Sequence, residues 1–286
     1  MCRSAMNRRS LLKATLSASA LAAVPALSKA GVVEIGVCAG VEDLAKAKRW
    51  GFDYLEPAAA AIAALSAIEF ERVRQQVLAS RLRCRSFNSL IRTMQVVGPE
   101  ANLDAVSTYL NAALDRCRQL GARVVVWGSA SSRNIPAGHS REQAWQEIKR
   151  FLQRAGDIAK SHELVIGIEP LRKQESNIIN AGAEALRLVD EIKHPNVKMI
   201  IDYYHLRMEN EDPDILVRAR QHVVHLHFAN PNGRRWPKSV DDDPEYGRFF
   251  QLVKQIGYTG GLSIEARGTF EEDGAASLAF LRSELR

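Results

Sequence analysis

The sequence predicts a single-domain α/β protein folded as a (β/α)8 TIM barrel, on two observations. From residue 32 onward, short β-branched or apolar runs alternate with longer stretches of helical periodicity, a pattern typical of parallel strands joined by helices. Eight such units occupy roughly 250 residues, a common size for a closed barrel. An open doubly wound sheet is the alternative, but no glycine-rich nucleotide-phosphate motif follows a predicted strand.

Each predicted strand is a short apolar or β-branched run that ends at a polar or glycine-containing turn. In chain order the predicted strands are residues 32–38, 52–56, 83–88, 123–127, 164–169, 197–202, 223–228 and 261–265. The clearest helical stretches between them are residues 103–120, 141–162, 183–192 and 244–256. Gly51, Gly121 and Gly257 precede strands and suit the C-terminal ends of helices.

The first thirty residues are predicted to be a twin-arginine signal peptide. Arg8 and Arg9 precede an apolar run that ends in Ser28-Lys29-Ala30, where we expect cleavage. An N-terminal helix or membrane anchor is less favoured, because the run contains Ser and Thr and is shorter than the roughly 20 apolar residues of a span. The sequence therefore predicts a periplasmic protein whose mature part, residues 31–286, is the barrel.

The positive charge of the chain is concentrated in this N-terminal segment. The 286 residues have a formal net charge of +6. Residues 1–30 carry five basic and no acidic side chains, which leaves 34 basic and 33 acidic side chains in the rest. A near-neutral body has no electrostatic footprint for nucleic acid. The composition, 46% hydrophobic and 25% charged, is typical of a globular protein and excludes disordered and disulfide-scaffold classes.

Polar side chains stand at the carboxyl ends of the last four predicted strands, at Glu169, Asp202, His227 and Glu265. In a barrel these ends meet at one mouth, where catalytic groups lie. Three carboxylates in a partly dry mouth would repel one another, so a cation is expected among them. Oxygen ligands with one nitrogen suit Mn²⁺, with Mg²⁺ or Co²⁺ as alternatives. His225 competes with His227 as the ligand, because the two lie on one strand face.

These strand ends carry a resemblance to a known family. The motifs are Glu169-Pro170-Leu171, Asp202-Tyr203-Tyr204-His205, His225-Leu226-His227-Phe228-Ala229-Asn230, Arg234-Arg235-Trp236-Pro237 and Ser263-Ile264-Glu265. From about residue 32 to the C-terminus, the chain resembles the sugar isomerase/epimerase family of xylose-isomerase-like TIM barrels, which includes ketose 3-epimerases such as tagatose 3-epimerase.

The resemblance implies roles for individual residues. Glu169, Asp202, His227 and Glu265 would bind the metal, and Glu169 and Glu265 would also act as the catalytic acid/base pair. The side chains of Glu175, His205 and Arg234 would contact substrate oxygens. Trp236, in the loop after the seventh strand, is expected to stack on a sugar face. Asn230 departs from the family pattern, which often has an acidic residue nearby.

These parts predict a metal-dependent carbohydrate isomerase or epimerase. One carboxylate would remove a proton beside a ketone, the metal would stabilise the enediolate, and the second carboxylate would return a proton. The alternatives are a lyase that eliminates a substituent from a 3-keto-glycoside, an abasic-site endonuclease and a non-catalytic sugar-binding barrel. The expected partner is a small-molecule sugar, either unphosphorylated or oxidised, with a homo-oligomer left open. Neither nucleic acid nor, after signal cleavage, a membrane is expected.

Overall fold

The computed structural model describes residues 31–285, so the predicted signal peptide lies outside the described residues. The strands are β1 (Glu34–Cys38), β2 (Tyr54–Glu56), β3 (Ser86–Phe87), β4 (Val124–Trp127), β5 (Val165–Ile168), β6 (Val197–Asp202), β7 (Val223–Phe228) and β8 (Gly261–Ile264). The helices are α1 (Leu44–Trp50), α2 (Ala59–Ala64), α3 (Ala67–Ser80), α4 (Leu103–Gln119), α5 (Ala130–Arg133), α6 (Arg141–Ser161), α7 (Gly182–Ile192), α8 (Tyr203–Met208), α9 (Ile215–Arg218), α10 (Tyr246–Gln255) and α11 (Phe270–Leu285). Two 3₁₀ helices cover Val41–Asp43 and Val240–Asp242.

All eight strands are parallel and form one sheet in the order β2-β1-β8-β7-β6-β5-β4-β3. The two ends of this order approach each other, because the amide of Leu55 in β2 donates to the carbonyl of Arg83 at 3.0 Å. Beyond the strands, the amide of Asn88 donates to the carbonyl of Pro57 at 3.1 Å. The sheet is thus a nearly closed barrel, which confirms the predicted fold class.

Every second residue of a strand points into the barrel, and these inward positions decide which side chains reach the mouth. Below the mouth, the ring of Tyr54 fills the space that a side chain at Gly36 would occupy. The hydroxyl of Tyr54 lies 2.8 Å from that of Ser263. The next inward residues of the same two strands, Glu56 and Glu265, therefore lie at the carboxyl end of the barrel.

The helices cover the outside of the barrel with apolar faces. Helix α6 begins after Ser140, whose hydroxyl accepts a hydrogen bond from the amide of Gln143, and it buries Trp145 and Phe151. Caps of this kind satisfy the free amides of a first helical turn. Between residues 31 and 285, the helices lack the combination of length and hydropathy that crossing a bilayer requires.

Candidate active site

Four side chains converge at the carboxyl end of the barrel. One ligand atom from each of Glu169, Asp202, His227 and Glu265 lies within 4.8 Å of the others. They come from the ends of β5, β6, β7 and β8. Glu169, Asp202 and His227 are buried, and Glu265 is partly exposed. The structure thus brings together the four residues whose strand-end positions singled them out in the sequence.

His227 lies at the centre of this cluster and is fully buried. Its Nδ1 lies 3.0 Å from Oε1 of Glu169 and 3.0 Å from Oε2 of Glu265. Burial alone would lower the pKa of His227, but the charges of Glu56, Cys38 and Glu265 together outweigh burial, and the pKa lies well above its usual value. Among the four ligand atoms of this cluster, that of His227 is the one nitrogen, and its proton would have to leave before a metal could bind there.

Glu56, at the end of β2, holds His227 from the other side. Nε2 of His227 donates to Oε1 of Glu56 at 2.9 Å, and Nε2 of His225 donates to Oε2 at 2.8 Å. The hydroxyl of Ser86 also donates to Oε2, at 2.6 Å. Burial would raise the pKa of Glu56, but the charges of His225 and His227 bring it well below its usual value. This residue was not among the predicted site residues, although it too is a carboxylate at a strand end.

His225, the competing ligand, lies one inward position below His227. Its Nε2 lies 2.8 Å from Glu56 and 3.4 Å from the hydroxyl of Ser263. It is not part of the four-residue cluster. The side chain therefore supports Glu56, and His227 is the histidine that faces the carboxylates.

Arg234 bridges two carboxylates of the cluster. Its Nη2 lies 2.9 Å from Oδ2 of Asp202 and 2.6 Å from Oε2 of Glu265. Its Nε donates to the backbone carbonyl of Glu265 at 3.0 Å. The backbone of Arg234 has φ 56°, a left-handed conformation that is uncommon for a residue other than glycine. Such strained residues cluster at binding and active sites.

The two glutamates have opposite pKa shifts. Burial raises the pKa of Glu169, and the nearby charges of Glu265 and Asp202 add to the rise. Burial would also raise the pKa of Glu265, but Arg234 and His227 lower it to about 2. The two carboxyl groups therefore differ, since Glu169 holds a proton more readily than Glu265.

Two neighbours from β4 and the segment after it fix Glu169. A side chain at Gly128 would collide with the carboxylate, since an added Cβ would lie 1.6 Å from Oε2 of Glu169. Arg133 is fully buried, and its Nη2 donates to the backbone carbonyl of Glu169 at 2.6 Å. Its guanidinium also lies over the ring of Trp127, 5.1 Å from the centroid. A buried arginine in this place could not be predicted from spacing along the chain.

Two of the predicted substrate-contacting residues lie beside the cluster. Nε2 of His205 is 3.5 Å from Oδ2 of Asp202 and also 3.5 Å from Nη1 of Arg234. Glu175 pairs with Arg172, whose Nε donates to Oε1 of Glu175 at 2.7 Å. Arg172 in turn lies over the ring of Tyr204, 5.2 Å from the centroid. This side of the mouth is therefore rich in charged and polar groups.

Trp236 occupies a different environment from the predicted one. Its ring stacks on that of Phe270 at 5.6 Å between centroids, and only 6% of the residue is exposed. An added side chain at Gly268 would contact its indole ring. The residue packs beneath the loop after β8, because the apolar start of α11 covers its face. Its packing gives no support to a role in stacking on sugar.

A sequence model described as xylose isomerase-like TIM barrel matches residues 44–284. The chain belongs to this family. Curated relatives of the family include an L-ribulose 3-epimerase of Methylomonas sp., 27% identical over 238 residues that cover 78% of this chain and 77% of the relative. A 3-dehydro-D-guloside 4-epimerase of Escherichia coli is 27% identical over 180 residues, which cover 59% of this chain and 68% of the relative.

Solved structures of the family share the fold. A D-allulose 3-epimerase from Methylomonas sp. superposes with a TM-score of 0.78 at 21% identity, over 89% of this chain and 99% of the other. A 3-keto-D-glucoside 4-epimerase from E. coli superposes with a TM-score of 0.74 at 20% identity, over 88% and 99%. At these identities the similarity shows the shared barrel.

Proposed function

We propose that the protein is a metal-dependent sugar epimerase or isomerase that removes and returns a proton beside a ketone. The observation that carries this proposal is the cluster of Glu169, Asp202, His227 and Glu265, whose ligand atoms lie within 4.8 Å of one another. Epimerases among the relatives, which invert carbons of sugars according to their names, support the same reaction class.

The four side chains fit a divalent cation. Three carboxylates with one imidazole form a donor set of mainly hard ligands, which suits Mn²⁺, with Mg²⁺ or Co²⁺ as alternatives. Loss of the proton from His227 would leave Arg234 as the one cation in contact with these carboxylates, and a metal ion would balance the remaining negative charge. When bound, the ion would stabilise negative charge on the substrate's carbonyl oxygen as the neighbouring proton leaves.

Glu169 and Glu265 have the positions and pKa shifts of an acid/base pair. They follow β5 and β8, which are separated in the sheet by β6 and β7, so the glutamates approach a substrate from different sides. Arg234 and His227 keep Glu265 ionised, so a lone pair of its carboxylate is free to accept a proton. Glu169, with a raised pKa, can hold one for return to the substrate. In the reverse direction the two roles exchange.

Arg234 and His205 are placed to orient the sugar. Both lie against Asp202, and the guanidinium of Arg234 also contacts Glu265. Donor groups at this point can bind hydroxyl oxygens of a substrate held between the glutamates. Glu175, which orients Arg172, would act at the outer edge of the same side.

A metal-reconstituted substrate screen tests the proposal. The purified mature chain, loaded with Mn²⁺, Mg²⁺ or Co²⁺, is incubated with free ketoses, aldoses and 3-keto-glycosides, and the products are analysed by mass spectrometry and NMR. We expect a rearranged sugar of unchanged mass. Two fragments would instead indicate the lyase reaction, which begins with the same proton abstraction. Cleavage of a duplex with an abasic site, or tight sugar binding without turnover, would contradict the proposal.

We further propose that the protein is exported to the periplasm by the twin-arginine route, because Arg8-Arg9 precedes an apolar segment that ends at Ala30. The N-terminal sequence of protein recovered from a periplasmic fraction should begin at Gly31. Replacing both arginines by lysine should keep the chain in the cytoplasm. Recovery of the uncleaved chain from the cytoplasm in both cases would contradict export.

A further inference from the structure

Cys38, the last residue of β1, places a thiol beside the cluster that the proposed reaction does not use. It lies opposite Glu56 in the parallel register of β1 and β2. Its Sγ is 3.9 Å from Nε2 of His227, and Oε1 of Glu56 is 2.9 Å from the same nitrogen. One donor atom from each of these three residues lies within 4.8 Å of the others. Sulfur, nitrogen and oxygen donors therefore meet on the Nε2 side of His227, whereas Glu169 and Glu265 lie at Nδ1.

The donors at Nε2 differ in kind from the carboxylate cluster. A thiolate, an imidazole and a carboxylate are the ligands that zinc takes in proteins, whereas an oxygen-rich cluster suits harder ions. In a tetrahedral zinc site, bonds of about 2.0–2.3 Å place neighbouring donor atoms about 3.3–3.6 Å apart. The two distances at Nε2 of His227 differ from this range by about 0.3–0.4 Å, so small side-chain movements would suffice.

The surroundings of these donors leave one oxygen of Glu56 for an ion and give the ion a path of entry. A cavity of about 460 Å³ opens beside the mouth, and both Cys38 and Glu56 line it. The second oxygen of Glu56, Oε2, accepts hydrogen bonds from Ser86 and His225, so Oε1 is the oxygen that faces Nε2 of His227. Water from the cavity would complete a set of four ligands.

We propose that Cys38, Glu56 and Nε2 of His227 form a second metal site, which binds zinc and opposes binding of the catalytic ion. The zinc site stands by itself, and its opposition to the catalytic ion rests on the proposed function. Zinc forms bonds to Sγ and Nε2, and the thiol proton and the Nε2 proton pass to water. The remaining imidazole proton then lies on Nδ1, which has no lone pair for an ion in the carboxylate cluster. Each ion therefore lowers the affinity for the other by the same factor.

Titration of the metal-free mature chain with Cd²⁺ tests the sulfur ligand. Cd²⁺ accepts the same donors as zinc, and its bond to a thiolate has a charge-transfer absorption in the ultraviolet. We expect an absorption of the size of a single Cd²⁺–thiolate bond. Cys38→Ala should remove it, whereas Cys84→Ala, which deletes a buried thiol outside the three-residue group, should keep it. Cys38→Ser gives the same test if Cys38→Ala does not fold.

Two results of this titration would overturn the proposed zinc site. The first is the absence of a thiolate absorption in the unmodified chain. The second is an absorption of equal size in the unmodified chain and in the Cys38 variant, since the sulfur ligand would then be another cysteine.

Competition between two ions tests the shared imidazole of His227. The Kd for Mn²⁺ is measured by electron paramagnetic resonance without Cd²⁺ and with enough Cd²⁺ to saturate the thiolate absorption. We expect Cd²⁺ to raise this Kd by about 5–150-fold in the unmodified chain and in Cys84→Ala. The rise should be much smaller in Cys38→Ala. Cd²⁺ that simply replaced Mn²⁺ among the carboxylates would act equally on all three proteins, and that result would overturn the coupling.

The outcomes separate the zinc site from the proposed function. If Cys38→Ala removes the thiolate absorption but the unmodified chain binds no Mn²⁺ and converts no keto-sugar, the zinc site stands and the proposed function fails. If the chain converts a keto-sugar with Mn²⁺ but shows no thiolate absorption with Cd²⁺, the proposed function stands and the zinc site fails.

Discussion

Nε2 of His227 donates a hydrogen bond to Oε1 of Glu56 at 2.9 Å, and both side chains are completely buried. A hydrogen bond at one imidazole nitrogen determines which nitrogen keeps a lone pair for a metal. Here Nδ1 is left to face Glu169 and Glu265. Glu56 is therefore a positioning residue that orients the only nitrogen donor of the cluster.

Glu56→Gln should weaken metal binding. The amide has a single carbonyl oxygen, whereas the two oxygens of Glu56 serve both His225 and His227. Loss of such a partner behind a ligand typically lowers metal affinity by about 10–100-fold. Calorimetric titration of the variant with Mn²⁺ checks this expectation.

Tyr54→Phe is a suitable control for Glu56→Gln. Tyr54 lies two residues before Glu56 on β2. Its replacement by Phe removes a buried hydrogen bond to Ser263 and makes no change at His227. Its stability should fall by about 1 kcal/mol, whereas its Mn²⁺ affinity should match that of the unmodified chain. Equal losses of affinity in both variants would show that Glu56 acts only through general packing.

Gly128→Ala should displace Glu169 without unfolding the protein. The new methyl group would overlap the end of the Glu169 side chain, so the carboxylate rather than the barrel is displaced. A displaced catalytic group commonly costs about 10²-fold in rate. We expect that loss in kcat, measured with a substrate found in the screen, together with a nearly unchanged melting temperature.

Gly247→Ala supplies the comparison for Gly128→Ala. An added Cβ at Gly247 meets no atom nearer than Val240 at 4.0 Å, and the residue lies within α10. Its kcat should not change, and its stability should rise by about 0.5–1 kcal/mol from the better helix propensity of alanine. Full activity in Gly128→Ala would show that the position of Glu169 is not set by this glycine.

Glu191 gives a pH-dependent contribution to stability. Hydrogen bonds from Trp145, Lys149 and Arg187 lower its pKa to about 2, from an ordinary value near 4.5. Because the pKa is lower in the folded chain, the ionised carboxylate of Glu191 stabilises the fold above pH 4.5, and this contribution disappears as the pH falls towards 2. Because the carboxylate is partly exposed, we expect Glu191→Gln to cost about 1 kcal/mol at pH 7.

The difference in unfolding free energy between Glu191→Gln and the unmodified chain should shrink when urea unfolding is repeated at decreasing pH from 7 to 3. Glu100→Gln, at an exposed loop position, should show no such dependence. A difference between Glu191→Gln and the unmodified chain that stays constant over this range would mean that the carboxylate's charge does not contribute.

Much of the barrel could be predicted from the sequence, because buried parallel strands are apolar runs that end in polar residues. Strands β6 and β7 have the predicted bounds. The third strand was predicted over residues 83–88 but covers only Ser86–Phe87. Arg83 and Arg85 there point to Glu34, and their carbonyls still accept hydrogen bonds from neighbouring strands. The segment is extended, but it pairs regularly over two residues only.

Some residues of the site could also be predicted from the sequence, and others could not. Residues at strand ends, such as Asp202 and His227, could be found by position, because the barrel brings those ends together. Glu56 satisfies the same rule and could have been found by extending it to the second strand. The position of Arg133 and the packing of Trp236 could not have been predicted, since both depend on contacts between distant segments. Arg133 reaches Glu169 from a short helix, and Phe270 covers Trp236 from the last one.

The two-carboxylate mechanism is tested most directly by conversion of a keto-sugar in D₂O by the metal-loaded protein and by Glu265→Gln. The amide side chain of the variant would keep an oxygen ligand but could not transfer a proton, so net conversion should fall by about 10²–10⁴-fold while metal remains bound. The unmodified protein should place one deuterium on the inverted carbon. Substrate exchange with solvent should survive in the variant for the direction in which Glu169 removes the proton. Unchanged conversion by Glu265→Gln would contradict the mechanism.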